Sequence, residues 1–387
     1  MEHFKEKDRE YIAGTYNRFD VELVSGSGAE AYDINGKKYI DLGSGIAVNT
    51  FGVADREWRD AVVTQLDRIQ HTSNLYYSEP CVKLAELLCQ KSGMKKVFFG
   101  NSGAEANEGA IKTARKYYSD NHGGKTGEII TLTGGFHGRT ITTLSATGQD
   151  VFHKDFGPFT DGFKYVPAND CEALLQAVGE NTAAVMLELI QGEGGVNVLS
   201  REFVDCVKSA ADKYGFLIIA DEVQTGNGRT GKYFASEHFG LQPDIITTAK
   251  GLGGGLPIGA VLLGEKVADT LGAGDHGSTF GGNPAVCAGA VSIVSRINSE
   301  LLSSVAEKGE YIRQELLKFK GVKSVSGMGL MIGIETEKDA KQIAVKALEN
   351  GVLILTAKTK LRMLPPLNIT KEQIDSALDI LREVIEQ

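Results

Sequence analysis

A chain of 387 residues, 42% hydrophobic and 24% charged, has the size for two domains and the balance of an ordinary globular protein. A net charge of −9 argues against a nucleic-acid-binding surface, which needs clustered Lys and Arg. No apolar run approaches the roughly 18 residues of a membrane span, and the charged start MEHFKEKDRE does not read as a signal peptide.

The five cysteines form no C-x-x-C pair, which predicts reduced thiols and a cytoplasmic protein. The seven histidines show no ligand spacing, so no metal site is expected. In chain order, residues 1–20 read as an arm with a short helix. Residues 21–45 alternate apolar and polar residues around Gly26–Ser27–Gly28 and Asn35–Gly36, the pattern of a small antiparallel meander. Helical periodicity occupies 55–70 and 79–91. From about 95 the rhythm becomes strand, loop, helix. Strands are expected at 96–99, 128–132, 183–190, 216–220, 245–248 and 258–263, with helices at 102–118 and 201–214. Such alternation implies a mostly parallel sheet with helices on both faces, and runs such as FLIIA fit strands buried on both sides. After about 285 come helices at 284–298 and 300–319. Short strands at 322–326, 330–335, 352–356 and 361–364 follow, with a helix at 337–349 among them. A last helix at 370–385 opens on the capping-box pair Thr370 and Gln373. This is a large α/β part followed by a smaller α+β part, to which the meander returns.

Three stretches carry chemistry. In GNSGAEANEGAIKTARKYY (100–118), Ser102 and Glu105 have capping-box spacing, and Gly100 and Gly103 admit a ligand to the backbone. A helix start of this kind attracts an anion such as phosphate. FLIIADEVQTGNGRTG (216–231) carries an apolar strand into Asp221 and Glu222, where ligands of parallel sheets sit. DIITTAKGLGGGLPIG (244–259) carries a β-branched run into Lys250, with five glycines in the next nine residues. Alone, a lysine beside glycine is usually a surface residue. A lysine and an acid converging at strand ends beside an anion site are what a pyridoxal phosphate enzyme requires. The amine forms a Schiff base, and the carboxylate pairs with the pyridinium nitrogen. A competing signal lies at 226–232, where GNGRTGK matches both G-x-G-x-x-G and G-x-x-x-x-G-K. Both matches lack context. Tyr233 stands where a P-loop needs Ser or Thr, and DEVQT separates the glycines from their strand.

The ordered set NSGAEANE (101–108), GGFHGRT (134–140), DEVQTGNGRTG (221–231), TTAKGLGGGLPIGA (247–260) and GSTFGGNP (277–284) resembles class III (ω-amino) aminotransferases of PLP fold type I over nearly the whole chain. The resemblance implies an α/β fold with a mostly parallel seven-stranded sheet and a smaller α+β domain. The division would be an N-terminal segment 1–55, a large cofactor-binding domain 56–284 and a C-terminal domain 285–387. It also implies pyridoxal 5'-phosphate as cofactor and a homodimer with shared active sites. TYNRFDVELVSGSG (15–28), HTSNLYYSEP (71–80) and LRMLPPL (361–367) are most similar to the branch that takes N2-acetyl-L-ornithine as amino donor and 2-oxoglutarate as acceptor, a step of arginine biosynthesis.

By the same resemblance Lys250 would hold the cofactor and move its proton, Asp221 would bind the ring nitrogen and Gln224 the ring oxygen. Phe136 and Val223 would flank the ring. Ser102, Gly103 and Ala104 would hold the phosphate, and Thr279 would reach the phosphate of the partner's cofactor. Arg139 and Arg362 would bind substrate carboxylates, with Glu193 pairing with Arg362 while the donor is bound. Tyr16 and Asn74 would line the donor's far end. Two departures stand out. The family's G-H-x-x-P stretch is replaced by FGVADREW (51–58), which bears on substrate preference, and Glu188 is followed by Leu189 where many members have Pro. Other ω-amine donors (ornithine, succinylornithine, succinyl-diaminopimelate, 4-aminobutyrate, lysine) keep the chemistry. A nucleotide-binding protein built on 226–232, or a catalytically silent binding protein, would change it.

Overall fold

The computed structural model describes residues 2–387; Met1, the first residue of the expected N-terminal segment, lies outside them. Its centre is a seven-stranded sheet in the order Lys96–Gly100, Gly259–Leu263, Ile245–Thr248, Leu217–Asp221, Thr182–Leu187, Glu128–Leu132, Phe163–Val166. Six of these strands run in one direction, and Gly259–Leu263 is antiparallel to both of its neighbours.

Side chains alternate across a strand, and both faces of this sheet are covered. Leu217 and Ile219 turn toward the helix Gly103–Asn121, which presents Ala106, Ala110, Ile111 and Ala114. Ile218 and Ala220 turn the other way, into a larger core that includes Phe203, Val204 and Val207 of the helix Arg201–Tyr214. Two faces demand apolar residues at every position, so these strands read in sequence as unbroken runs. The edge strand Phe163–Val166 leaves Lys164 and Tyr165 exposed and carries no such run, which is why the sequence reading passed over it.

A second core gathers around Val305, Ile312, Ile332, Ile334, Ile343, Leu361 and Leu378. It lies against an antiparallel sheet in the order Val322–Met328, Met331–Thr336, Lys360–Met363, Leu355–Ala357. The meander Leu23–Ser27, Glu30–Asp33, Lys38–Asp41 adds Val352–Leu353 as its fourth strand, in parallel with Lys38–Asp41. Among the described residues no single helix is long and apolar enough to cross a membrane.

The glycines at 226–231 are explained by packing. Arg229 is buried and donates from Nη1 to the carbonyls of Leu330 and Pro365, while the Leu330 N–H returns a bond to the Arg229 carbonyl at 3.0 Å. Burial pushes this guanidinium down to about 9, against the pull of Asp41. None of residues 226–232 lines the cavity that holds Lys250. Next to this loop, Gly329 adopts φ +53°, and a Cβ there would lie 2.5 Å from the Thr230 carbonyl carbon.

The glycines after Lys250 also have packing duties beyond those expected. Trp58, from the stretch that departs from the family pattern, donates to the Gly253 carbonyl at 2.9 Å, and its ring lies against Gly254 and Gly255. Of the three, Gly255 alone also lines the cavity.

Gly309 tests the packing argument. It lies inside the helix Ser299–Leu316, where Ala is ordinarily better by about 1 kcal/mol. A Cβ at Gly309 would meet the Gly329 carbonyl oxygen at 2.1 Å. Overpacking of this kind costs about 1–3 kcal/mol. Gly309→Ala is therefore expected to destabilise the protein in chemical denaturation, and a stabilised variant would contradict the seam.

Candidate active site

Strand ends determine the site. Ile245–Thr248 is fully buried, and the chain then turns so tightly that Lys250 takes φ +45°, a conformation uncommon outside glycine. Neighbours hold the turn: Thr50 donates from Oγ1 to the Gly251 carbonyl at 2.7 Å, and Asn227 donates to Thr248 Oγ1 at 2.9 Å. Lys250 faces a cavity of about 480 Å³ lined also by Ser102, Gly103, Ala104, Phe136, Asp221, Val223 and Gln224. Burial pushes the Lys250 amine below its ordinary value. Glu193 and Asp221 pull it back, Arg362 adds to the depression, and burial prevails.

Asp221 ends the adjacent strand and is 3% exposed. Four donors fix its carboxylate. His137 Nδ1 and Asn107 Nδ2 reach Oδ2 at 2.7 and 2.8 Å, while the Val223 N–H and Thr247 Oγ1 reach Oδ1 at 3.0 and 3.4 Å. Asn107 also donates to the His137 carbonyl at 2.7 Å, locking the histidine loop to the helix. Burial alone would lower the His137 pKa; the hydrogen bond and charge of Asp221, with Glu188 beyond, raise it on balance. Glu222, next in the chain, points into the large core. It accepts from the Ala235 and Ser236 N–H groups at 2.9 and 2.8 Å and supports that loop.

At the other end of the cavity, Ser102 caps the helix Gly103–Asn121 by accepting from the Glu105 N–H at 3.1 Å, and Glu105 returns a bond to the Asn101 N–H at 2.7 Å. The N–H groups of Gly103 and Ala104, in the first turn, have no intrahelical partner. A Cβ at Gly103 would stand 2.7 Å from Val223 Cγ1, so this corner accepts only glycine.

A second charged pair lies next to Gln224, which lines the cavity. Arg362 is 3% exposed and its Nη1 lies 2.7 Å from Glu193 and 3.2 Å from the Gln224 side-chain oxygen, while its Nε is buried without a partner. Burial raises the Glu193 carboxyl, but the charge and hydrogen bond of Arg362 hold it below its usual value. The Gln224 side-chain oxygen is thus engaged by Arg362, while its Nε2, 3.5 Å from Glu193, keeps a second N–H for the cavity. Arg139 sits exposed at the mouth, 4.5 Å above the Phe152 ring and 5.5 Å from that of Phe136.

Three expected residues lie elsewhere in the single chain. Tyr16 is exposed beside the N-terminal helix with Arg18 over its ring. Asn74 ties its loop to the Ser278 and Gly281 carbonyls at 3.0 and 2.9 Å. Thr279 is exposed on that second loop. Asn107 and His137 stand inside the motifs at 101–108 and 134–140, where no local pattern singles them out. Their only signal was a polar residue on an otherwise apolar helix face and a histidine next to an aromatic residue.

Residues 11–385 match the family model "Aminotransferase class-III". Acetylornithine aminotransferase from Haemophilus ducreyi is 50% identical, covering 100% of this chain and 99% of its own length. The enzyme of that name from Bacillus subtilis is 45% identical, with 96% of each chain covered. Among solved structures, N-acetylornithine aminotransferase from Stenotrophomonas maltophilia superposes with a TM-score of 0.84 at 37% identity, covering 98% of each chain. Ornithine aminotransferase from Toxoplasma gondii reaches 0.95 at 33% identity, covering 99% of this chain and 94% of its own. The chain belongs to the class-III aminotransferases. It is an aminotransferase, and its cofactor is pyridoxal phosphate. The residues present fit that group: a half-buried lysine whose amine is pushed below its ordinary value, a carboxylate fixed by four donors, and a glycine corner at a helix start.

Asn107 gives the site a specific test. Asn107→Ala removes two bonds to the loop and carboxylate behind the cofactor, one of them charge-assisted and worth about 1.5–3 kcal/mol. Cofactor affinity, measured by titration of the apoprotein, is expected to fall about tenfold or more. Unchanged affinity would show that Asp221 is held without it.

Proposed function

We propose that the chain transfers the δ-amino group of N2-acetyl-L-ornithine to 2-oxoglutarate, giving N-acetylglutamate 5-semialdehyde and L-glutamate, a step of arginine biosynthesis in the cytoplasm. The Arg362–Glu193 pair at 2.7 Å carries this reading. One cavity must accept an amine remote from a carboxylate and then a 2-oxo diacid, and a guanidinium that can be covered or uncovered meets both demands. The donor rests on relatives of that name at 41–50% identity over almost the whole chain.

When bound, pyridoxal phosphate supplies an aldehyde that takes up the amine and a ring that draws electrons from the adjoining carbon. The chain's own residues do the rest. Lys250, with its amine pushed by burial below its ordinary value, acts as nucleophile and carries a proton between the two carbons that exchange it. Asp221 offers a fixed negative charge to the ring nitrogen. Ser102, Gly103 and Ala104 hold the phosphate at the helix start, Phe136 and Val223 confine the ring, and Gln224 bonds the ring oxygen. Arg139 binds the donor's α-carboxylate and the acceptor's distal one. Arg362 binds the acceptor's α-carboxylate once Glu193 has moved aside.

A second reading, ornithine as donor, is favoured by the TM-score of 0.95 to the Toxoplasma gondii enzyme. Single-turnover reactions of the holoenzyme with a panel of amines decide between them, followed by loss of the visible band of lysine-bound cofactor. N2-acetyl-L-ornithine is expected to be fastest, and Lys250→Ala to show neither band nor turnover. Arg362→Ala is expected to slow the 2-oxoglutarate half-reaction at least tenfold more than the donor half. Equal losses would sink the two-carboxylate scheme.

The working unit in this reading is a homodimer. Leu75, Tyr77 and Phe280 are 85%, 99% and 62% exposed, on two loops that Asn74 joins through the Ser278 and Gly281 carbonyls. Large apolar side chains exposed on joined loops call for a cover. A second copy would also bring Thr279 to the neighbouring cavity, and Tyr16 and Asn74 would line the donor's far end. The three-part division at 55 and 284 follows the same reading, with the meander joined to Val352–Leu353 in its support. Sedimentation at micromolar concentration is expected to give a dimer; a fully active monomer would remove Thr279 from the scheme.

A further inference from the structure

Glu188 has no part in the reading above, yet it sits at the carboxyl edge of the central sheet, at the end of the strand Thr182–Leu187 next to that of Asp221. It is buried and lines the cavity. Its Oε2 accepts from the Phe136 N–H at 2.9 Å and its Oε1 from the Gly192 N–H at 3.2 Å. One carboxylate therefore ties two loops. The first carries Phe136, His137 and Arg139. The second carries Glu193, one residue beyond Gly192. Glu188 pairs with no Lys or Arg at salt-bridge distance among the described residues. A buried, unpaired carboxylate is costly where a neutral amide would do. Gln149 already tethers the first loop with such an amide, donating to the Gly134 and Gly135 carbonyls at 3.2 Å each. A glutamine at 188 would offer one oxygen, whereas the two N–H groups facing Glu188 lie on different loops and require two.

We propose that Glu188 is a positioning residue that keeps Glu193 within reach of Arg362 during the donor half-reaction, by holding the Gly192 amide in register with the Phe136 loop. The proposal rests on the two-carboxylate reading of Arg362. With the Gly192 amide released, Glu193 swings from Arg362 and leaves a buried guanidinium unpaired beside an ω-amine donor, which the donor cannot compensate. The acceptor supplies its own carboxylate to Arg362 and does not need the latch.

The groups facing Glu188 are His137 and Asp221 from the adjoining elements, Lys250 across the cavity, and the two backbone amides. Burial pushes its carboxyl up to about 7; the charge of Asp221 adds to this, and His137 and the amides oppose it. Its ionised form, present above that value, accepts both amides. Protonation as the pH falls through about 7 gives up one acceptor.

The test compares native holoenzyme with Glu188→Gln in separate half-reactions. The donor half, with N2-acetyl-L-ornithine, is expected to lose about tenfold in kcat/KM, while the 2-oxoglutarate half with amino-form enzyme changes less than about threefold. The native donor profile should fall with an ionisation near pH 7 that the acceptor profile and the variant both lack. Hydrogen exchange of the apoprotein should quicken in 189–196. Equal losses in both halves, or a donor profile identical in native and variant enzyme, would overturn the proposal. If the variant does not fold, the native profiles decide: an ionisation near pH 7 in the donor half alone supports it, and matching profiles refute it. Failure of Arg362→Ala to separate the halves would instead remove the reading on which it rests.

Discussion

An amine drawn partly out of water gives up its proton more readily, and Lys250 stands half-buried just past a strand that is buried along its whole length. The sheet brings Ile245–Thr248 beside Leu217–Asp221, so the amine and the Asp221 carboxylate arrive at one edge from neighbouring strands. That closeness creates a conflict. A carboxylate free to approach the amine would keep it protonated. Here His137, Asn107, Thr247 and the Val223 N–H occupy the Asp221 oxygens, and Arg362 occupies Glu193. Both acids are held in place by other donors, and burial prevails over their pull on Lys250. Removing the Asp221 partners would therefore alter the lysine as well as the acid.

The two adjacent acids Asp221 and Glu222 show how position divides labour. One ends a strand facing the cavity. The other turns into the large core and satisfies backbone N–H groups of a loop. Burial raises the Glu222 carboxyl against the bonds from Thr225, Ala235 and Ser236. Nothing in the dipeptide distinguishes the two; the alternation of a strand does, because successive side chains point to opposite faces.

Much of this was legible from sequence because apolar runs and glycine clusters report directly on burial and turns. The strands 128–132 and 245–248 and the helix 201–214 were placed to the residue. Lys250, Asp221, Phe136, Val223, Gln224 and the helix start at Ser102 converge on one cavity, as the motifs suggested. Arg229 and the glycines around it resembled a nucleotide motif because a tight backbone approach leaves the same trace whether the neighbour is a phosphate or another loop. Asn107, His137 and Glu188 were silent for a different reason. Their importance lies in partners 30 to 114 residues away, and no local pattern records such pairings. Tyr16, Asn74 and Thr279 lie outside the cavity of one chain, so a sequence can name them only by likeness.

The seam at Arg229 sets the mechanical character of the enzyme. Its guanidinium is sealed among the carbonyls of Leu330 and Pro365, with Gly309 and Gly329 in backbone contact beside it. A hinge opening there would break both carbonyl bonds of Arg229 and part the backbone of Gly309 from that of Gly329. The loop beyond Asp221 and the small sheet bearing Arg362 therefore travel as one piece. In the reading proposed above, a frame closed at this seam would leave the sorting of two substrates to side chains, as a tumbler works in a lock.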